Sequence, residues 1–183
     1  MSQLLEIIVL KVAALGISVD CIPVLDVPVE DTTNAIGDRC LGRNADAVST
    51  LGGAQIDGLL SSGVIPVIKH MPGHGRATVD SHQDLPQVES TLSELEAQDF
   101  RPFRLLAKRS PLGMTAHVVF LGADPGAPAT LSNPVIAKII RERIGFDGAL
   151  MTDDISMGAL SGGLRGRAEA AIAAGCDLVL HCN

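Results

Sequence analysis

The chain has 183 residues, 46% hydrophobic and 19% charged, with a formal net charge of −7; length and balance predict one globular domain over residues 1–183. The acidic charge carries no basic block, and four Phe without Trp or Tyr offer few rings on which bases stack, which argues against nucleic acid. No apolar run approaches the ~18 residues of a membrane span, and the start lacks the basic flank and cleavage site of a secretory signal, so a cytoplasmic protein with no membrane partner is expected.

In chain order, the first predicted element is a helix over Leu4–Leu15, closed by Gly16. Val19–Val27 ("VDCIPVLDV") reads as a buried strand that ends near Asp26. A glycine-bearing loop with Arg39 follows, then a helix over Ala45–Leu60 with Asn44 as N-cap and Gly63 beyond its end. The second strand, Val64–Ile68, runs into "KHMPGHGRATVDSH" at residues 69–82, which sets Lys69, His70, His74, Asp80 and His82 straight after a buried run. A helix over Leu92–Lys108, started by Ser90 or Thr91, leads to a third strand, Met114–Phe120, with His117 inside it. Asn133 is placed to cap a helix over Val135–Ile144 that Gly145 ends, and the strand Ala149–Met151 delivers Asp153 and Asp154. Arg165–Ala174, ended by Gly175, is the last predicted helix, and Leu178–Leu180 the last strand, with His181 after it.

Five strand and helix alternations, with most strands apolar on both sides, predict a parallel sheet covered by helices. A doubly wound sheet and a (β/α)8 barrel both satisfy that pattern. They differ in where polar groups collect: an open sheet concentrates its site at one switch point, whereas a barrel mouth draws on every strand. Here Asp26, Lys69 with His70, His117, Asp153 with Asp154, and His181 follow or end the five strands in turn, which favours a barrel. No G-x-G-x-x-G follows the first strand, so a dinucleotide fold is disfavoured. A complete barrel needs about 250 residues and eight strands, so a partial barrel is predicted.

Several strand-end residues have the chemistry of an active site. Asp80 and His82 are two apart, and in an extended segment that spacing puts them on one face, where the carboxylate can fix the imidazole tautomer. The alternative is an Asx turn at Asp80 beside a solvent-exposed His82. Asp153 leaves an apolar strand, where an unpartnered carboxylate is costly unless it is used; its neighbour Asp154 suits an N-cap of a following helix. A carboxylate at one strand end facing an acid/base pair from another is the minimum kit for double displacement at an anomeric carbon. Lys69 is either a substrate clamp or a counter-ion for carboxylates, and Arg39 either reaches over the mouth or pairs with Asp38 or Asp26. Asp26 reads as a tether for its loop, His74 as a loop-packing residue, and His117 as a hydrogen-bonded core histidine. Metal is not expected: His70 and His74 have a spacing that suits a helix, but Pro72 and two glycines break one there. Cys21, Cys40, Cys176 and Cys182 are scattered and form no C-x-x-C pair, so neither a zinc knuckle nor a disulfide framework is predicted.

At "KHMPGHGRATVDSH" and "LMTDDISM" the sequence resembles the bacterial β-N-acetylhexosaminidases of glycoside hydrolase family 3, of the cell-wall recycling type. "PVLDVPV", "IGDRCLGR", "MTAHVVF" and "GCDLVLHCN" resemble further family segments in the same order. The resemblance implies a (β/α)8 barrel of which this chain supplies about strands three to seven, and retaining hydrolysis of terminal β-linked N-acetylglucosamine from muropeptides without a cofactor. It implies Asp153 as nucleophile, His82 as acid/base, Asp80 as the partner of His82, and Arg39, Lys69 and His70 as sugar-binding residues. Family members carry strands before and after the matching region, so a chain truncated at both ends is expected. Two alternatives follow: an inactive remnant, or a fragment that needs a complementing chain. Within the enzyme class, a histidine repels phosphate less than a carboxylate does, so phosphorolysis of β-N-acetylglucosaminides competes with hydrolysis.

Overall fold

A computed structural model describes residues 11–182. Strands β1 (Val19–Asp20), β2 (Ile65–Met71), β4 (Leu112–Thr115) and β6 (Ala149–Met151) form one parallel sheet, while β3 (Gln87–Val88) and β5 (Val119–Phe120) form a separate parallel pair. The helices are α1 (Asn34–Gly37), α2 (Ala45–Ser61), α3 (Leu92–Ala97), α4 (Phe100–Leu106), α5 (Val135–Ile144, wound as a π-helix) and α6 (Leu164–Ala174).

Sheet order is β1-β2-β4-β6, with Val19 beside Ile65, Val67 beside Leu112 and Gly113 beside Leu150. Each crossover therefore steps to the next strand in one direction, as the winding of a (β/α)8 barrel requires; a doubly wound sheet reverses its order at the switch point. All these strands point the same way, so their C-terminal ends share one rim. The last predicted strand shrinks to a single bridge, Leu178 against Met151.

The core lies between sheet and helices. Phe100, Phe103, Phe120 and Phe146 are all buried there with Leu25, Ile56, Ile68 and Met71, each large side chain contributing about 1.5–3 kcal/mol. Those four are all the Phe, Tyr and Trp side chains the sequence has.

Several local expectations need correction. The helix expected over Leu92–Lys108 is two helices, because Pro102 lacks the N–H that would bond to Gln98 in a continuous one; Thr91 and Glu94 form a capping box on the first. The run Met114–Phe120 leaves the main sheet after Thr115 and joins β3 from Val119. Ser132, not Asn133, accepts the Val135 N–H at the start of α5. Residues 4–10 of the first predicted helix lie outside the described residues, and residues 11–14 are helical. Gly16, Gly63, Gly145 and Gly175 each adopt the positive φ expected at those helix ends.

Candidate active site

The rim of the sheet gathers ionisable groups from three loops. In the loop after β2, Asp80 Oδ1 accepts the main-chain N–H of His82 at 3.0 Å and meets the ring Nδ1 at 2.7 Å. Asp80 O accepts from Gln83 and Asp84, so the segment is a turn rather than extended. The two-residue spacing still brings the groups together, but through an Asx turn, the device expected of the alternative reading. Main-chain and ring hydrogen bonds from His82 hold the Asp80 carboxyl below the usual carboxylate range. The His82 side chain is 62% exposed, open to a ligand at its far ring nitrogen.

Asp153 follows β6. Its Oδ1 accepts the Asp154 N–H at 2.8 Å, while Oδ2 lies 3.8 Å from His70 Nε2, too far for a direct hydrogen bond. The side chain keeps 18% exposure. The strand end beneath it is braced from two sides: buried Thr152 Oγ1 accepts the Leu180 N–H at 2.9 Å, and buried His117 meets Asp154 O at 3.0 Å and Thr130 Oγ1 at 2.7 Å. His117 is thus a hydrogen-bonded core histidine; burial pushes its ring below the ordinary value, and the Asp154 carbonyl offsets this only in part. Asp154 caps the turn at Ser156 and accepts the Cys182 N–H. No helix starts there, so its expected helix-capping role is corrected to a turn-capping one. Burial alone would raise the Asp154 carboxyl, but the bonds from Ser156 and Cys182 bring it below the usual range.

His70 is buried, with Nδ1 2.7 Å from Asp26 Oδ2. Asp26 is completely buried, and it also accepts the main-chain N–H groups of His70 at 3.3 Å and His74 at 2.7 Å. Leaving one partner of such a buried hydrogen bond unsatisfied costs about 1–3 kcal/mol, more where that partner is charged. His74 packs edge-to-face against His70, with 5.6 Å between ring centres, and its Nε2 meets Ser81 Oγ at 3.1 Å. His74 is buried in the loop, and its partner Ser81 stands between Asp80 and His82. Sequence reasoning passed over Ser81 and reduced Asp26 to a tether. The signal for Asp26 was present: a carboxylate ending an apolar run, the same cue used for Asp153.

Two main-chain hydrogen bonds join the loops. His82 O accepts from Gly158 and Ser81 O from Ala159, both at 3.2 Å, which seats the Asp80–His82 turn on the segment that follows Asp153. Arg39 and Lys69 line one cavity of about 480 Å³ with Cys21 and Gln55. Arg39 pairs with neither Asp38 nor Asp26; its Nε donates to Ala35 O at 2.9 Å and the side chain is exposed. Among the described residues no group of three or more His, Cys, Asp or Glu side chains is arranged to hold a metal ion.

A carboxylate and a paired imidazole on joined strand-end loops, with two cations lining a separate cavity, are equipment for acid/base and nucleophilic work on a polar substrate. The family model for the glycosyl hydrolase family 3 N terminal domain matches residues 2–183. The chain belongs to glycoside hydrolase family 3. Within that family it is 41% identical over 176 residues to the β-hexosaminidase of Alkalilimnicola ehrlichii, a match that covers 94% of this chain and 50% of that protein. A family 3 β-N-acetylglucosaminidase from Paenibacillus sp. FPU-7 superposes with a TM-score of 0.93 at 37% identity, covering 98% of this chain and 35% of the other. NagZ from Neisseria gonorrhoeae, solved with N-trifluoroacetyl-D-glucosamine, gives 0.89 at 38% identity, covering 100% and 52%. This family 3 chain spans about half the length of the curated relatives it matches.

Proposed function

We propose that this family 3 chain carries the catalytic groups of a retaining β-N-acetylhexosaminidase that removes terminal β-linked N-acetylglucosamine from muropeptides in the cytoplasm. Asp153 attacks the anomeric carbon as His82 protonates the departing glycosidic oxygen, leaving the sugar esterified to Asp153. Water then attacks the same carbon, His82 takes its proton, and the Asp153 carboxylate is released. Asp80 holds Nδ1 of His82, so Nε2 does the proton transfer and the imidazolium formed in the second step faces a carboxylate. Arg39, Lys69 and His70 bind the sugar hydroxyls and acetamido group.

The observation that carries this reading is the seating of the Asp80–His82 turn on the segment after Asp153, by the Gly158 and Ala159 hydrogen bonds. It links the loop of the proton carrier to the segment that follows the carboxylate, and positioning of reacting groups is worth several kcal/mol of barrier. The two relatives' names, β-hexosaminidase and β-N-acetylglucosaminidase, support the choice of sugar. The test is release of chromophore from a chromogenic β-N-acetylglucosaminide by the purified chain. Turnover that Asp153→Ala removes while the circular dichroism stays unchanged is the expected result; folded wild type without turnover contradicts it.

A further inference from the structure

Asp26 has no exposed surface and takes no part in the steps above. Among the described residues it nonetheless connects to both halves of the site. Its Oδ2 meets His70 Nδ1 at 2.7 Å, and the opposite nitrogen of that ring lies 3.8 Å from Asp153 Oδ2. Its Oδ1 accepts the His74 N–H at 2.7 Å, and the His74 ring reaches Ser81 Oγ at 3.1 Å, between Asp80 and His82. We propose that Asp26 is a positioning residue for the reaction: it fixes the tautomer of His70 beside Asp153 and, through His74 and Ser81, the seat of the Asp80–His82 pair. The inference rests on the roles proposed above for Asp153 and His82.

An ionised carboxylate can only accept hydrogen bonds. Burial by itself pushes the Asp26 carboxyl up, but the neighbouring His70, the hydrogen bond from its ring, and His74 outweigh it and hold the group below the usual range. Nδ1 of His70 must therefore carry a proton, and Nε2 is the atom presented towards Asp153 and a bound sugar. Replacing Asp26 by Asn gives a sharp contrast. Main-chain N–H groups cannot turn round, so the side that receives the His70 and His74 N–H groups must remain the amide oxygen. The NH2 then faces His70 Nδ1 and donates to it. The ring is forced to give up that proton and to hold its proton on Nε2 instead, reversing what it offers to Asp153.

Two measurements on the intact chain test this. With five histidines in the sequence, proton–nitrogen correlation spectra of histidine-labelled protein, assigned with His70→Gln, report the tautomer at neutral pH. Wild type is expected to show His70 protonated on Nδ1 and Asp26→Asn to show it neutral on Nδ1; wild type unprotonated there, or a variant with the same form, overturns the proposal. In turnover, Asp26→Asn is expected to lower kcat about 100-fold per folded molecule, with KM raised as well because His70 also binds the sugar; a merely structural Asp26 would lower the folded fraction and leave kcat per folded molecule alone. Should Asp26→Asn not fold, Ser81→Ala decides the second link, with kcat down about tenfold expected and wild-type kcat overturning it. Wild type without turnover defeats the proposed function by itself, and the tautomer comparison still decides the role of Asp26.

Discussion

Asp80 holds His82 at two points with one oxygen: Oδ1 accepts the main-chain N–H at 3.0 Å and meets ring Nδ1 at 2.7 Å. The first contact closes the turn and the second aligns the ring. Asn at this position keeps an oxygen for both contacts and loses only the charge, whereas Ala loses the turn as well. Asp80→Asn is expected to lower kcat about tenfold and Asp80→Ala about 1,000-fold, the larger loss within the span of general acid/base effects. Steady-state kinetics on a chromogenic β-N-acetylglucosaminide checks this, and equal losses would mean that charge alone matters.

Two buried groups oppose one another in acid. Burial, reinforced by nearby His70, pushes the His74 ring down from 6.5 to about 4. Between those values the unfolded chain takes a proton that the folded chain refuses, so stability present above pH 6.5 is lost towards pH 4, by about 3 kcal/mol. Asp99 behaves in the reverse sense. Burial pushes its carboxyl from 3.8 up to about 6 despite Arg76 at 2.8 Å, so the folded chain binds the proton first and gains about 3 kcal/mol as pH falls through that window. Wild type should change little between pH 6 and 4, Asp99→Asn should lose stability steeply, and His74→Gln should gain it. Urea midpoints across that range test the pair; identical slopes in all three proteins would contradict it.

Gly75 presses its backbone against the loop after β1. A Cβ there would stand 2.0 Å from Val27 O, an atom of the main chain that cannot swing aside. Gly75→Ala should therefore cost about 3 kcal/mol, seen as a drop of roughly 6–12 °C in Tm for a chain of this size. A melting temperature equal to wild type would show that the loop yields freely.

Arg39 and Lys69 share a cavity wall but hold no carboxylate partner among the described residues. If both serve the sugar, Arg39→Ala and Lys69→Ala should each raise KM about tenfold, the worth of one charged hydrogen bond, with a smaller change in kcat. Unchanged KM in both variants would move sugar binding elsewhere.

The sequence made the order of elements and the rim legible because both follow from periodicity: buried runs, glycine-ended helices and polar residues at strand ends. Ala149–Met151 and Val135–Ile144 fall where the pattern puts them. It did not show where an apolar run leaves one sheet for another, as at Thr115, since burial looks alike on both sides of the break. Nor did it show partners across long separations. Asp26 and His70 are 44 residues apart and His117 reaches the carbonyl of Asp154 over 37, and nothing local encodes either contact. The Asp80–His82 pair was legible from spacing, although the turn that makes it was not the extended geometry first expected.

Attachment of the sugar to Asp153 is tested most directly with a fluorinated N-acetylglucosaminide that forms the glycosyl-enzyme quickly and releases it slowly. After proteolysis, mass spectrometry should find one added sugar on the peptide that contains Asp153, and Asp153→Ala should carry none. An adduct on a different carboxylate, or rapid turnover of the reagent with none trapped, would contradict Asp153 as the nucleophile.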